Sequence, residues 1–144
     1  MPLIFLINLV ISFIATGLIW TIQLVHYPSM KFIPKDKFKD FHTFHSQKIS
    51  ILAVPIMVIE LVTSFLLFYR NTNNAYNDFV LINFIIIILI WASTFLLQVP
   101  IHNTLSMNKN EKLLDRLILT NWIRTILWTL RRILMVCFLG LLSI

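Results

Sequence analysis

The chain has 144 residues, of which 58% are hydrophobic and 12% charged, with a formal net charge of +6. Ordinary soluble domains are about 45 to 50% apolar, so this composition excludes one and predicts an all-helical integral membrane protein, a four-helix bundle forming one domain over residues 1–144. Most of the basic residues sit in the connections between apolar stretches, which excludes a nucleic-acid partner and suits membrane lipid.

A membrane span needs about 20 mainly apolar residues, and four stretches meet this: residues 3–25, 49–69, 78–100 and 117–143. The first has no Lys or Arg ahead of it and is too long for a signal peptide, so it reads as a retained span. Only two glycines are present, so GxxxG contacts are not available and looser seams are expected. Near the end of the first span, Thr16, Trp20, Gln23 and Tyr27 recur at helical spacing and make one polar, aromatic face. His26 lies at its edge and Pro28 marks the exit.

Pro34 can start a helix. Phe38, Phe41, His42 and His45 then share one side while most lysines face away, predicting an interfacial amphipathic helix between spans one and two. Carried on at about 100° per residue, His42, His45, Ile49, Ala53, Ile56 and Glu60 fall in one stripe roughly 80° wide. Along the axis His45 and Glu60 are about 22 Å apart. One helix face therefore carries two sites at two depths, and Pro55 between them can kink the helix.

Residues 70–78 read as a short polar turn. In span three, Trp91, Thr94, Gln98 and His102 repeat the polar face of span one. In span four, Asn121, Arg124, Thr125, Trp128, Arg131 and Arg132 lie within roughly 60° of Trp128. Arg131 and Arg132 are too deep to snorkel easily, so at least one needs a buried partner, and Glu60 is the only carboxylate in the spans away from their ends. Cys137, the single cysteine, reads as an inert buried thiol.

Eight of the twelve Lys and Arg residues lie between spans one and two or three and four. The positive-inside rule then puts those connections in the cytoplasm and both termini outside it. Alternating span directions bring His26, His42, His45 and His102 to the same, cytoplasmic side. Imidazole clusters suit iron, copper, zinc or haem, so these four are candidate metal ligands. His42, His45, Glu60 and Arg131 are candidate catalytic groups. Gln23, Gln98, Asn121 and Arg124, walled by Trp20, Trp91 and Trp128, are candidate substrate contacts.

The segments GLIWTIQLVHYP, FHTFHSQKI, VPIMVIEL, QVPIHNTL and TNWIRTILWTLR together resemble small four-span bacterial membrane proteins of unknown function that are distantly similar to the anthrone-oxygenase-like family. The resemblance covers nearly the whole chain in short motifs. It implies a place in the bacterial inner membrane and oxidation of polycyclic phenols with dioxygen, although this chain has more histidines and a mid-span Glu60. The sequence thus predicts a small membrane oxidoreductase acting on a hydrophobic or aromatic substrate. Its rivals are a non-enzymatic binder or carrier of a quinone-like, lipid or anionic molecule, and an accessory subunit. Four short spans also make a homo-oligomer plausible.

Overall fold

The computed structural model describes residues 3–70 and 77–142, so most of the expected polar turn, residues 71–76, lies outside the described residues. Among the described residues there is no strand, and the chain forms four long helices. These are α1 (Leu3–Phe32), α2 (Lys35–Tyr69), α3 (Asn77–Leu105) and α4 (Glu111–Leu142). The first three are long and apolar enough to cross a membrane. In α4, Arg116, Arg124, Arg131 and Arg132 interrupt the apolar sequence.

Helix α1 packs against α2 and α4, and α3 packs against the same two, closing a four-membered ring. Neighbours in the chain run antiparallel, so the α1–α2 and α3–α4 turns share one end. Lys109 ties those turns together, its Nζ donating to the Lys31 and Ile33 carbonyls at 2.8 and 3.0 Å. A Lys31–Asp115 ion pair adds a second clasp. All four histidines lie at this end.

The bundle buries many polar side chains within its apolar core, and its outside is apolar. Asn8, Ser12, Thr16, Gln23, Glu60, Ser64, Asn83, Asn121, Thr125 and Arg131 are buried, while Phe13, Ile51, Val62, Ile85, Leu89, Ile126 and Ile133 are exposed. Close approach of α1 uses Ser12, Ala15 and Thr16 on its buried stripe, so small residues other than glycine serve the seams. Cys137 is exposed, not buried as expected. It stands on the outward side of α4, beside the exposed Val136.

Helix α2 runs unbroken through Pro55 for 35 residues, about 52 Å at 1.5 Å per residue. The expected interfacial segment is therefore the first turns of α2, not a separate helix. Phe38 there is fully buried and lies 6.0 Å from Lys109 Nζ, whereas Phe44 is exposed.

Two π-helical turns, Ile22–His26 and Thr94–Gln98, interrupt α1 and α3. Each closes on a bond from residue i to i−5, Tyr27 N–H to the Ile22 carbonyl and Val99 N–H to the Thr94 carbonyl. A proline follows at once, Pro28 or Pro100. Its ring lacks an N–H and crowds the carbonyl four residues back, and the wider turn relieves that conflict. A π turn also shifts every later side chain around the helix. This sets where Tyr27 and His102 point.

Candidate functional site

The deeper centre draws a polar group from each helix. Arg131 from α4, fully buried, donates from Nη1 to Glu60 Oε1 of α2 at 2.5 Å and from Nη2 to Asn8 Oδ1 of α1 at 2.7 Å. Ser64 Oγ accepts from Arg131 at 3.1 Å and from Asn83 of α3 at 3.4 Å. Trp128 Nε1 donates to the other carboxylate oxygen of Glu60 at 2.8 Å. Arg132 takes no part, its guanidinium lying over the Phe13 ring at 5.5 Å. Of the two deep arginines, Arg131 is the partner of Glu60. The pair is sealed from the cavity described next, so neither residue, both expected to be catalytic, reaches a substrate there.

Between this centre and the histidine end lies a cavity of about 380 Å³, walled by Ala15, Ile19, Ile22, Met57, Trp91 and Trp128. Residues of α2 and α3, among them Ser50, Val54, Phe95 and Val99, make its remaining wall. Val54 and Phe95 are exposed, so the cavity reaches the outer surface between these helices. Its polar groups are Tyr27, Gln98, His102 and Arg124, with Ser46, Ser50, Thr94 and Asn103. The Trp128 ring thus faces the cavity while its N–H is held by Glu60, a physical link between the two depths.

Tyr27, His102 and His42 form a hydrogen-bonded row. Tyr27 Oη lies 2.9 Å from His102 Nε2, and His102 Nδ1 lies 3.0 Å from His42 Nε2. Arg124 Nη2, which can only donate, points at Tyr27 Oη at 3.4 Å. Tyr27 therefore accepts from Arg124 and has its own proton for His102 Nε2. A neutral His102 then carries its proton on Nδ1 and donates it to His42, whose own proton sits on Nδ1, a buried atom with no partner. The row has one polarity from the cavity toward the basic end.

The four histidines do come together, as the alternating directions predicted. His26 and His45 have ring centroids 4.1 Å apart, and His45 is 6.4 Å from His42 and 6.1 Å from His102. Their nitrogens are not all free for one ion, however. The His42 and His102 nitrogens between the rings are spent on each other, and His102 Nε2 is spent on Tyr27. His26 and His45 lie ring against ring at a 32° interplanar angle. Among the described residues, no three His, Cys, Asp or Glu side chains are grouped to hold a metal. The buried histidine nitrogens without a hydrogen-bond partner are His26 Nε2, His42 Nδ1 and His45 Nε2.

Three expected substrate contacts lie elsewhere. Gln23 donates to the Ile118 carbonyl at 3.2 Å and accepts from Asn121 at 2.7 Å. Asn121 Oδ1 accepts from Arg124 Nε at 3.0 Å and from its Nη2 at 2.5 Å, which fixes the guanidinium. Trp20 packs edge-on against Trp122 at 5.6 Å and donates to Thr129 at 3.0 Å. Gln23 and Asn121 are spent on holding Arg124, and Trp20 belongs to the α1–α4 seam. His26, His42 and His45 do not line the cavity either. Tyr27 does, and the sequence had placed it on the polar face of span one without a role. The signal was its position before Pro28, where the π turn redirects the chain.

Compared with family models, with curated proteins and with solved structures, the chain matches none.

Proposed function

We infer that this chain is a small membrane oxidoreductase that takes a flat hydrophobic molecule with an oxygen-bearing end into the cavity between α2 and α3 and removes a proton from it. The observation that carries this reading is an apolar, tryptophan-walled cavity with Arg124, Tyr27, His102 and Gln98 as its principal polar groups. A substrate hydroxyl docked at Tyr27 passes its proton through the phenol to His102 Nε2 as His102 gives its Nδ1 proton to His42. General acid–base groups placed this way contribute about 10²- to 10⁴-fold. The resemblance to anthrone-oxygenase-like proteins points the same way, with dioxygen as oxidant.

All four helices cross the bilayer in this reading. The outward stripe of α4, with Ile123, Ile126, Leu130, Ile133 and Val136 exposed, is apolar like those of the other helices, and Arg124 and Arg131 are turned inward. The first turns of α2 carry the excess length to the cytoplasmic interface, where Lys35, Lys37 and Lys39 meet lipid headgroups. Alkaline phosphatase fused after Ile144 should be active outside the cytoplasm. An inactive phosphatase fusion with an active cytoplasmic reporter at the same point would reverse the orientation.

Menadione titrated into the detergent-solubilised protein should quench tryptophan fluorescence, since Trp91 and Trp128 line the cavity. Anthrone in air-saturated buffer should be oxidised above its spontaneous rate, one dioxygen consumed per anthraquinone and one water formed. Quenching without oxygen uptake would favour the binder or carrier. Absence of both signals would sink the cavity as the site.

A further inference from the structure

The two buried arginines differ in one respect. Arg131 has Glu60, whereas Arg124, 8% exposed, has only neutral partners: Asn121, Tyr27 and Thr94. A cation held in a span without a counter-charge is costly, and such residues by default serve a ligand or an ion path. Arg124 also lines the cavity, so a molecule inside can supply the missing charge.

A second atom asks for the complementary group. Gln98 is 1% exposed and lines the same cavity. Its Nε2 donates to Thr120 Oγ1 at 3.0 Å, while Thr120 donates onward to the Arg116 carbonyl at 2.7 Å, which fixes the amide orientation. Gln98 Oε1 is left buried with no donor. A buried acceptor without a partner is costly, and a ligand that donates to it removes that cost. Gln98 follows Thr94, which Arg124 contacts at 3.5 Å, on the same π turn, and the residues of the free acceptor and the uncompensated cation line one cavity.

We propose that the cavity selects an aromatic acid: a flat apolar body bearing an anionic oxygen, received by Arg124, next to a hydroxyl that donates to Gln98. This rests on the cavity being the ligand site and adds its charge class. An enolate or phenolate formed by proton removal is held by the same guanidinium, so the group that binds the acid also stabilises the charge that develops.

The test is calorimetric titration of the purified protein in neutral detergent at pH 7 with 3-hydroxy-2-naphthoate and with its methyl ester, which keeps the ring and hydroxyl but removes the charge. The acid should bind at least tenfold more tightly, about 1.4 kcal/mol. In Arg124→Gln that preference should vanish while ester binding persists, and Arg124→Lys should keep part of it. Gln98→Leu should weaken both compounds several-fold. The wild-type ratio decides the matter even if Arg124→Gln does not fold. Equal affinities, or binding of menadione alone, overturn the anionic class and leave the cavity intact. Failure of all three compounds to bind overturns the cavity reading as well.

Discussion

Glu60→Gln is expected to destabilise the protein by about 3 to 5 kcal/mol, because it strands a fully buried guanidinium. Arg131 would keep Asn8 and Ser64 but lose its only counter-charge. Arg131→Gln should cost a similar amount by stranding the carboxylate. The double variant should lose less than the sum, since two neutral amides leave no unpaired charge at this centre. Arg132→Gln should shift stability by no more than about 1 kcal/mol, its cation–π contact with Phe13 being a weak one. Unfolding in mixed micelles measures all four. Additive losses in the double variant would show that the two residues are not coupled.

The layering by depth was legible in the sequence because it depends on little more than helical period and alternating direction. His42, His45 and Glu60 on one stripe of α2, the four histidines at one end, and a buried carboxylate partner for a deep arginine all follow from these two facts. The choice between Arg131 and Arg132 does not, since adjacent residues are 100° apart and both can face a broad polar interior. Only the register against Asn8 and Ser64 decides it. The cavity contacts were harder still. A uniform 100° per residue carries Thr16, Trp20, Gln23 and Tyr27 round as one face, but the π turn at Ile22–His26 breaks that projection. Gln23 is turned to Asn121 and Tyr27 to His102. Proline at positions 28 and 100 was the visible sign that ideal helical projection fails there. The polar residues of α4 could be placed on one face, yet their division between ligand and neighbours depends on which carbonyls and amides α1 and α3 present. Asn121 therefore reads as a substrate contact in sequence and serves in the structure to fix Arg124.

His102→Ala should lower the rate of anthrone oxidation by about 10²- to 10⁴-fold, the usual contribution of a positioned proton-transfer group, while menadione affinity changes by no more than several-fold. His102 lines the cavity, but most of the apolar wall is supplied by Ile19, Met57, Trp91 and Trp128, so binding and turnover separate. Tyr27→Phe removes the hydroxyl that joins Arg124 to His102 and should also lower turnover, although His102 keeps its contact with His42. His42→Gln leaves the cavity lining unchanged and retains hydrogen-bonding atoms near His102, but it cannot accept a proton as imidazole does. Its expected effect is on turnover and its dependence on pH, with KM little altered. His26→Ala, outside the row, should leave both near wild type. The four variants therefore order themselves by place in the row and not by distance from the basic end. Wild-type turnover in His102→Ala, with menadione still bound, would show that the cavity holds its ligand without using the row to move a proton.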